Sequence, residues 1–306
     1  MDIQALFEKL VVLFLILFIG FFCGKTGVMS VESNKSFSRL VAKLTNPMLV
    51  LASVMTDERL MTNLEVLQMT LIAAGCYVFL IASSLLLPRL LHLKPNESGL
   101  YRFLYIFSNI GFMGYPLVRA MFGEGAMFHL TIFVLFFQFV CWSYGAQIMS
   151  GERRFRLSWQ ILKTPSVLAA LLAYAIYLSG IHVPDIIADV VKTTGEITSP
   201  LAMLILGCAL SQCAPRDVFA QPKIYLLALI KQVLIPIAAY FVLRTFVTDP
   251  LLLSLTVVVF AMPSATNATI FAYEYHGNER FAASGVFLTT LLSVVTIPCL
   301  MLLLFG

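Results

Sequence analysis

The chain has 306 residues, 60% of them hydrophobic and 12% charged, with a formal net charge of +4 and a mean hydropathy of +0.92. A soluble domain carries about 25% charged residues, so this composition excludes an ordinary soluble globule. The small positive balance falls in short loops, where it orients a membrane chain and gives no nucleic-acid footprint. The apolar runs suit helices of the ~20 residues needed to cross ~30 Å of hydrocarbon. They lack the alternating ~10-residue pattern of an outer-membrane barrel. The chain therefore reads as an all-α polytopic membrane protein.

In chain order, the first span is expected over Ala5–Val28, with a Gly20/Gly24 spacing that lets a neighbouring helix approach. Asp2 and Glu8 precede its apolar run, and no small-residue cleavage site follows. A retained first span is expected here in place of a signal peptide. The second span, Glu32–Val54, begins polar and carries Leu44-Thr45-Asn46-Pro47, which predicts a kink facing protein. The third, Val66–Leu87, is plain and apolar.

The fourth span, Gly99–Phe122, contains Ser108-Asn109-Ile110-Gly111-Phe112-Met113-Gly114-Tyr115-Pro116, a predicted break. The fifth is Gly125–Met149, followed by the most basic loop, Gly151–Leu157. The sixth is Trp159–Ser179, and the seventh, Thr193–Ser211, carries Thr198-Ser199-Pro200. The eighth, Ile224–Phe246, holds Lys231 and Pro236. The ninth, Pro250–Tyr275, holds the second break, Phe-Ala-Met-Pro-Ser-Ala-Thr-Asn over 260–267. The tenth is Phe281–Phe305.

Ten spans divide into five and five. Asn46-Pro47 matches Ser199-Pro200, and Pro116 matches Pro263, at one offset of about 150 residues. An odd number of spans per repeat forces the second to enter from the opposite side. The expected architecture is thus two inverted five-helix repeats, residues 1–150 and 157–306, with broken fourth and ninth helices. Chance is the competing account, because prolines are frequent in membrane helices. Lys and Arg gather in the loops after odd-numbered spans, among them Lys94, Arg102, Arg153, Arg154, Arg156 and Lys223. Both termini are therefore expected on the non-cytoplasmic side.

Other chemistries find little support. Cys23, Cys76, Cys141, Cys208 and Cys299 lie in apolar segments, Cys213 sits at a segment end, and no CxxC pair occurs. The four histidines are scattered. Neither a disulfide, a metal site nor any other cofactor is expected. A catalytic Ser/His/Asp set, an HExxH motif and a glycine-rich phosphate loop are all missing from the sequence, which argues against a membrane enzyme and against ATP-driven transport.

Asn109-x-Gly111-x-x-Gly114-x-Pro116, Asn46-Pro47, and Ala261-x-Pro263-x-Ala265-x-Asn267 followed by Phe271-Ala272 resemble the auxin efflux carrier family. That family includes bacterial malate and malonate permeases and the plant auxin carriers. The likeness covers essentially the whole chain, and the short central loop resembles the bacterial type. The resemblance implies a ten-helix fold in which a scaffold and a transport domain each draw on both repeats, with the broken helices crossing at the two prolines. It implies a small organic anion as substrate (a carboxylate, a dicarboxylate or an indole-type acid), a bacterial inner-membrane location and a homodimer. It also implies a substrate region around Asn109 and Pro116 on one side and Pro263 and Asn267 on the other. In bile-acid-type relatives of the fold, acidic and amide residues hold sodium, and these spans hold no comparable acidic cluster.

Physically, half-helices that begin at mid-membrane present free N–H groups and positive dipole ends, which bind anions without a full positive charge. Asn46, Asn109, Gly111, Pro116, Pro263, Ser264, Thr266 and Asn267 are the candidate substrate residues. The competing role for the polar ones is to glue helices and patch kinks, and for Gly111 to let chains cross closely. Lys231 either snorkels to the interface or serves as an internal charge. Arg119 either pairs with Glu124 or draws anions inward. Gln138 either contacts substrate or bonds within the core. A secondary carrier using alternating access is the leading function; a channel or a non-transporting sensor on the same fold is the alternative.

Overall fold

A computed structural model describes residues 3–55, 62–151, 163–212, 215–275 and 277–306. The described helices are α1 (Ile3–Lys25), α2 (Val31–Leu40), α3 (Asn46–Ala52), α4 (Asn63–Ser84), α5 (Leu87–Leu90), α6 (Pro95–Ile106), α7 (Tyr115–Phe122), α8 (Met127–Val140) and α9 (Ala146–Ser150). They continue with α10 (Pro165–Ser179), α11 (Asp185–Glu196), α12 (Thr198–Ser211), α13 (Pro215–Phe219), α14 (Pro222–Leu229), α15 (Ile235–Leu243), α16 (Pro250–Ala261), α17 (Asn267–Glu274) and α18 (Glu279–Phe305). Among the described residues, six helical runs are long and apolar enough to cross a membrane: Phe7–Lys25, Leu64–Ser84, Glu124–Ser150, Asp185–Ser211, Pro222–Leu243 and Glu279–Phe305. The basic loop after Gly151 lies outside the described residues.

Local chemistry sets where these helices start. Thr62 accepts from the Glu65 N–H while the Glu65 carboxylate accepts from the Thr62 N–H, a reciprocal cap for α4. The Asp249 carboxylate accepts from the Leu251 and Leu252 N–H groups at the start of α16. Prolines 95, 165, 222 and 250 occupy first helical positions, where their missing N–H costs nothing.

Three interior prolines act differently. Pro47, Pro116 and Pro236 each stand second in α3, α7 and α15, and each follows a widened π turn: Val41–Thr45, Ile110–Gly114 and Ile230–Leu234. A proline ring clashes with the carbonyl four residues back; an extra residue in the preceding turn moves that carbonyl away. The kink expected at Asn46-Pro47 is therefore taken up by an over-wide turn, Pro236 is accommodated in the same way, and the chain stays helical through both.

The outward faces are apolar, with Leu15, Ile19, Phe22, Leu67, Leu71 and Val78 exposed along α1 and α4. The buried polar residues sit instead near the irregular turns, among them Thr45, Asn46, Ser108, Asn109, Lys231 and Ser264. This is the inside-out pattern of a chain solvated by lipid, where irregular backbone survives only under protein cover.

α1 lies along α12, and α3 packs between α10 and α11. α4 packs on α8, α15 on α16, and α18 runs past α13, α14, α16 and α17. The α1–α12 contact depends on glycines. A Cβ on Gly20 would overlap the Leu204 carbonyl, and one on Gly207 would overlap the Leu17 carbonyl oxygen. The small-residue spacing in α1 thus brings two backbones into direct contact.

Overpacking of this kind costs ~1–3 kcal/mol or more. Gly207→Val is expected to lower the thermal unfolding midpoint in detergent by roughly 5 °C or more. Gly75→Ala, whose Cβ would meet nothing within 4 Å, should leave it in place. Equal midpoints for the two variants would remove the glycine contact as a determinant of the fold.

Candidate functional site

Two helices stop in the middle of the protein, for different reasons. α16 ends at Ala261 because Pro263 follows. The residue before a proline is pushed out of the helical region, and Met262 sits at φ −59°, ψ 148°. α6 ends at Ile106 with no proline nearby. Phe107 is extended at φ −95°, ψ 111°, and the next residues are Ser108, Asn109 and Gly111. Short polar side chains and glycine compete poorly for helix.

The two extended pieces pair with each other, antiparallel, at Ser108 and Ser264. The Asn109 N–H donates to the Pro263 carbonyl at 2.8 Å, and the Ala265 N–H donates to the Phe107 carbonyl at 2.8 Å. The crossing is therefore centred on two serines and not on two prolines, which corrects the expected register. Pro263 belongs to the crossing. Pro116 lies in the first turn of α7, eight residues past Ser108, so the two prolines are not equivalent positions. The physical reason is that Pro263 breaks its helix, whereas Pro116 is accommodated by its π turn.

The carbonyl end of α6 is closed by donors from elsewhere. Ser264 Oγ donates to the Leu104 carbonyl at 2.6 Å. Lys231 Nζ donates to the Tyr105 carbonyl at 2.7 Å and to Ser108 Oγ at 3.0 Å. The Ser264 N–H donates to Thr289 Oγ1 at 3.1 Å, and Gln232 Nε2 donates to the Thr289 carbonyl at 2.8 Å. Lys231 is only 2% exposed; it points into the crossing and does not snorkel.

The amide ends are open. The Asn109 carbonyl accepts from the Met113 and Gly114 N–H groups. Gly111 and Phe112, and Thr266 and Asn267 across the crossing, have N–H groups with no partner among the described residues. Asn109 is 2% exposed, yet its Nδ2 donates to nothing. Asn46 gives its Nδ2 to Ser166 Oγ at 3.2 Å and leaves Oδ1 unpartnered. That oxygen lies 3.7 Å from where a Cβ on Gly111 would stand, so Asn46 faces the turn that Asn109 opens. Thr266 Oγ1, Thr45 Oγ1 and Thr198 Oγ1 are also buried without partners, and α12, which Thr198 begins, packs on the Ile110–Gly114 turn.

The remaining candidates are engaged elsewhere. Arg119 pairs with Glu124 at 2.7 Å and Glu196 at 3.5 Å, which ties α7 to α11. Gln138 Oε1 accepts from Trp142 Nε1 at 3.1 Å. The Trp142 ring packs on Phe271 at 4.9 Å, so Gln138 is bonded within the core beside α17. Ser108, Thr289 and Ser166 were not singled out from sequence. Ser108 adjoins Asn109 and could have been found by matching the serines of the two breaks. Thr289 is one of several hydroxyls in a regular helix and carries no such signal.

A cleft of about 610 Å³ opens between α4 and α15, lined by Gly75, Cys76, Phe79, Ala239, Leu243 and Phe260 among others. Cys76 and Phe260 also border a small void beside Ser108. Its predominantly apolar walls offer little to an anion. Among the described residues no group of three His, Cys, Asp or Glu side chains is placed to hold a metal ion.

The sequence model of a family described as "Membrane transport protein" matches residues 5–155 and again residues 153–301. The chain is 24% identical over 295 residues to an uncharacterized transporter of Methanocaldococcus jannaschii, covering 94% of this chain and 95% of the relative. It is 25% identical over 298 residues to an uncharacterized transporter of Methanothermobacter thermautotrophicus, covering 95% and 96%.

The hydroxyls at the crossing should separate by role. Ser264→Ala deprives the buried Leu104 carbonyl of its donor, a loss of ~1–3 kcal/mol, and should lower the unfolding midpoint of the purified protein. Thr266→Val removes a hydroxyl that bonds nothing and should leave the midpoint unchanged. The reverse order in a thermal denaturation series would contradict the bond assignments.

Proposed function

The chain belongs to the auxin efflux carrier family of membrane transport proteins, and from that premise we propose that it carries small organic anions by alternating access. It is a multi-pass membrane transporter acting on a small-molecule substrate, not an enzyme. The substrates we propose are carboxylates or dicarboxylates such as malate or malonate, or auxin-like acids. We place the protein in a cell membrane, the inner membrane of a bacterium, with both termini on the non-cytoplasmic side. Ten passes in two inverted repeats are part of the same proposal; the double match of one family over the two halves supports it. The group α1, α2–α3, α10 and α11–α12 would be the scaffold, where a second copy would dock, and the group containing the crossing would move.

The observation that carries the substrate class is the pair of open amide ends at the crossing. Gly111 and Phe112 on one side, and Thr266 and Asn267 on the other, offer N–H groups with no acceptor among the described residues, and Asn109 Nδ2 adds a buried donor without a partner among them. A helix N-terminus favours an anion by ~0.3–1 kcal/mol when exposed and up to ~2 kcal/mol when partly buried. A hydrogen bond to a charged group adds ~1.5–3 kcal/mol. A few such terms reach the −4 to −8 kcal/mol, roughly, of millimolar to micromolar binding, a range that still allows release. A dedicated arginine is not needed, and Arg119 is already paired.

Purified protein in liposomes should take up labelled malate, malonate or indole-3-acetate in a saturable, counterflow-competent manner. Asn109→Ala or Asn267→Ala should lower that uptake ~10-fold or more, the worth of one bond to a charged group, with unchanged reconstitution and unfolding midpoint. Undiminished uptake in both variants would remove the crossing as the anion site. Unitary currents in place of saturable exchange would make the protein a channel, and binding without flux would make it a sensor.

A further inference from the structure

Lys231 is placed by a local distortion. The π turn Ile230–Leu234 rotates successive residues to one side, so that Ile230, Lys231 and Gln232 are all buried. The ammonium donates to the Tyr105 carbonyl and to Ser108 Oγ. Among the described residues no carboxylate lies within ion-pair distance of it; the ion pairs found are Arg119 with Glu124 and Glu196, His182 with Asp185, and Lys223 with Glu97. A charge at membrane depth without an opposite charge is expensive and marks function by default. Here its compensation comes from oxygen dipoles, above all the carbonyl end of the interrupted helix α6, where the macrodipole is negative.

Backbone carbonyl and hydroxyl oxygens are also the ligands that replace the hydration shell of an alkali cation. The place filled by the ammonium is therefore a monovalent-cation site in its chemistry. It sits directly behind the paired strands: Ser108, which binds the ammonium, is the residue that bridges to Ser264.

We propose that Lys231 is a resident cation, covalently built into an oxygen-lined position at the crossing that would otherwise take a small monovalent ion. With the site permanently filled, wild-type protein has no use for Na⁺ or K⁺ there. Removal of the side chain leaves a vacancy that accepts a free alkali ion or a small alkylammonium. The proposal rests on the geometry around Lys231 and goes beyond the reading of the crossing as the anion site. The test below uses no substrate, so an error in the assigned anion class leaves this proposal standing, and its failure leaves that class untouched.

Wild type, Lys231→Ala and Lys231→Met are compared by thermal unfolding in detergent, at equal ionic strength, in the chlorides of sodium, potassium, methylammonium and choline. Wild type should unfold at one temperature in all four. Lys231→Ala should fall by roughly 5 °C or more in choline and recover saturably with methylammonium, Na⁺ or K⁺; which of them acts identifies the ion that fits. Lys231→Met, which keeps the volume without the charge, should fall and respond to none. Stabilisation of wild type by Na⁺ or K⁺ over choline overturns the proposal, as does a Lys231→Ala midpoint that no cation moves. Should Lys231→Ala not accumulate, Lys231→Met decides: a reduced, cation-blind midpoint supports the resident charge, and a midpoint equal to wild type overturns it.

Discussion

The structure depends on two reciprocal backbone hydrogen bonds, from the Asn109 N–H to the Pro263 carbonyl and from the Ala265 N–H to the Phe107 carbonyl. Breaking two helices inside a dry interior strands polar backbone groups, each costing several kcal/mol if left bare. A single antiparallel bridge recovers four of them at once. It also fixes the register of the two breaks relative to each other, because a shift by one residue would exchange which side chains face which helix. Ser108 and Ser264 can then reach opposite partners: Ser108 the Lys231 ammonium, Ser264 the Leu104 carbonyl.

The rest of the core is arranged to hold that bridge. Thr289 on α18 receives the Ser264 N–H and passes its own proton back to the Gly285 carbonyl at 2.8 Å. On α6, the ring of Phe103 packs on Phe107 at 4.5 Å and on Phe271 at 5.1 Å, which clamps the start of one break to the half-helix beyond the other. The distant α1–α12 contact, close only because Gly20 and Gly207 lack side chains, builds a separate wall from helices that contribute no group to the bridge.

Much of this was legible in the sequence, and the part that was not has a physical explanation. A proline, asparagines and serines inside apolar runs located both breaks, since few other reasons exist for such residues at membrane depth. Asn109 adjoins the Ser108–Ser264 bridge, and Asn46 faces the Gly111 turn from the start of α3. The register is hidden because the two prolines look equivalent in sequence, although a proline second in a helix after a π turn breaks nothing and one inside an extended segment does. Lys231 was ambiguous for a related reason. Its position in a regular helix is consistent with snorkelling, and only the extra residue in the Ile230–Leu234 turn aims it inward. Helical periodicity assumes 3.6 residues per turn, so an over-wide turn misplaces every face beyond it.

The crossing is also polar in a sense that the pairing of its strands does not require. The protein satisfies the carbonyl end of α6 with its own donors, a serine hydroxyl and a lysine ammonium, and the amide ends at Gly111–Phe112 and Thr266–Asn267 have no acceptor among the described residues. Unmet donors cost more the less water reaches them; Gly111, Phe112, Thr266 and Asn267 are half-buried, within reach of an acceptor from outside. Water can be that acceptor in the empty carrier, and an anion is a better one. The same half-helix geometry with its carbonyl ends open and its amide ends capped would draw cations. Under the proposed function, the sign of the substrate would follow from which ends of the broken helices the remaining side chains close.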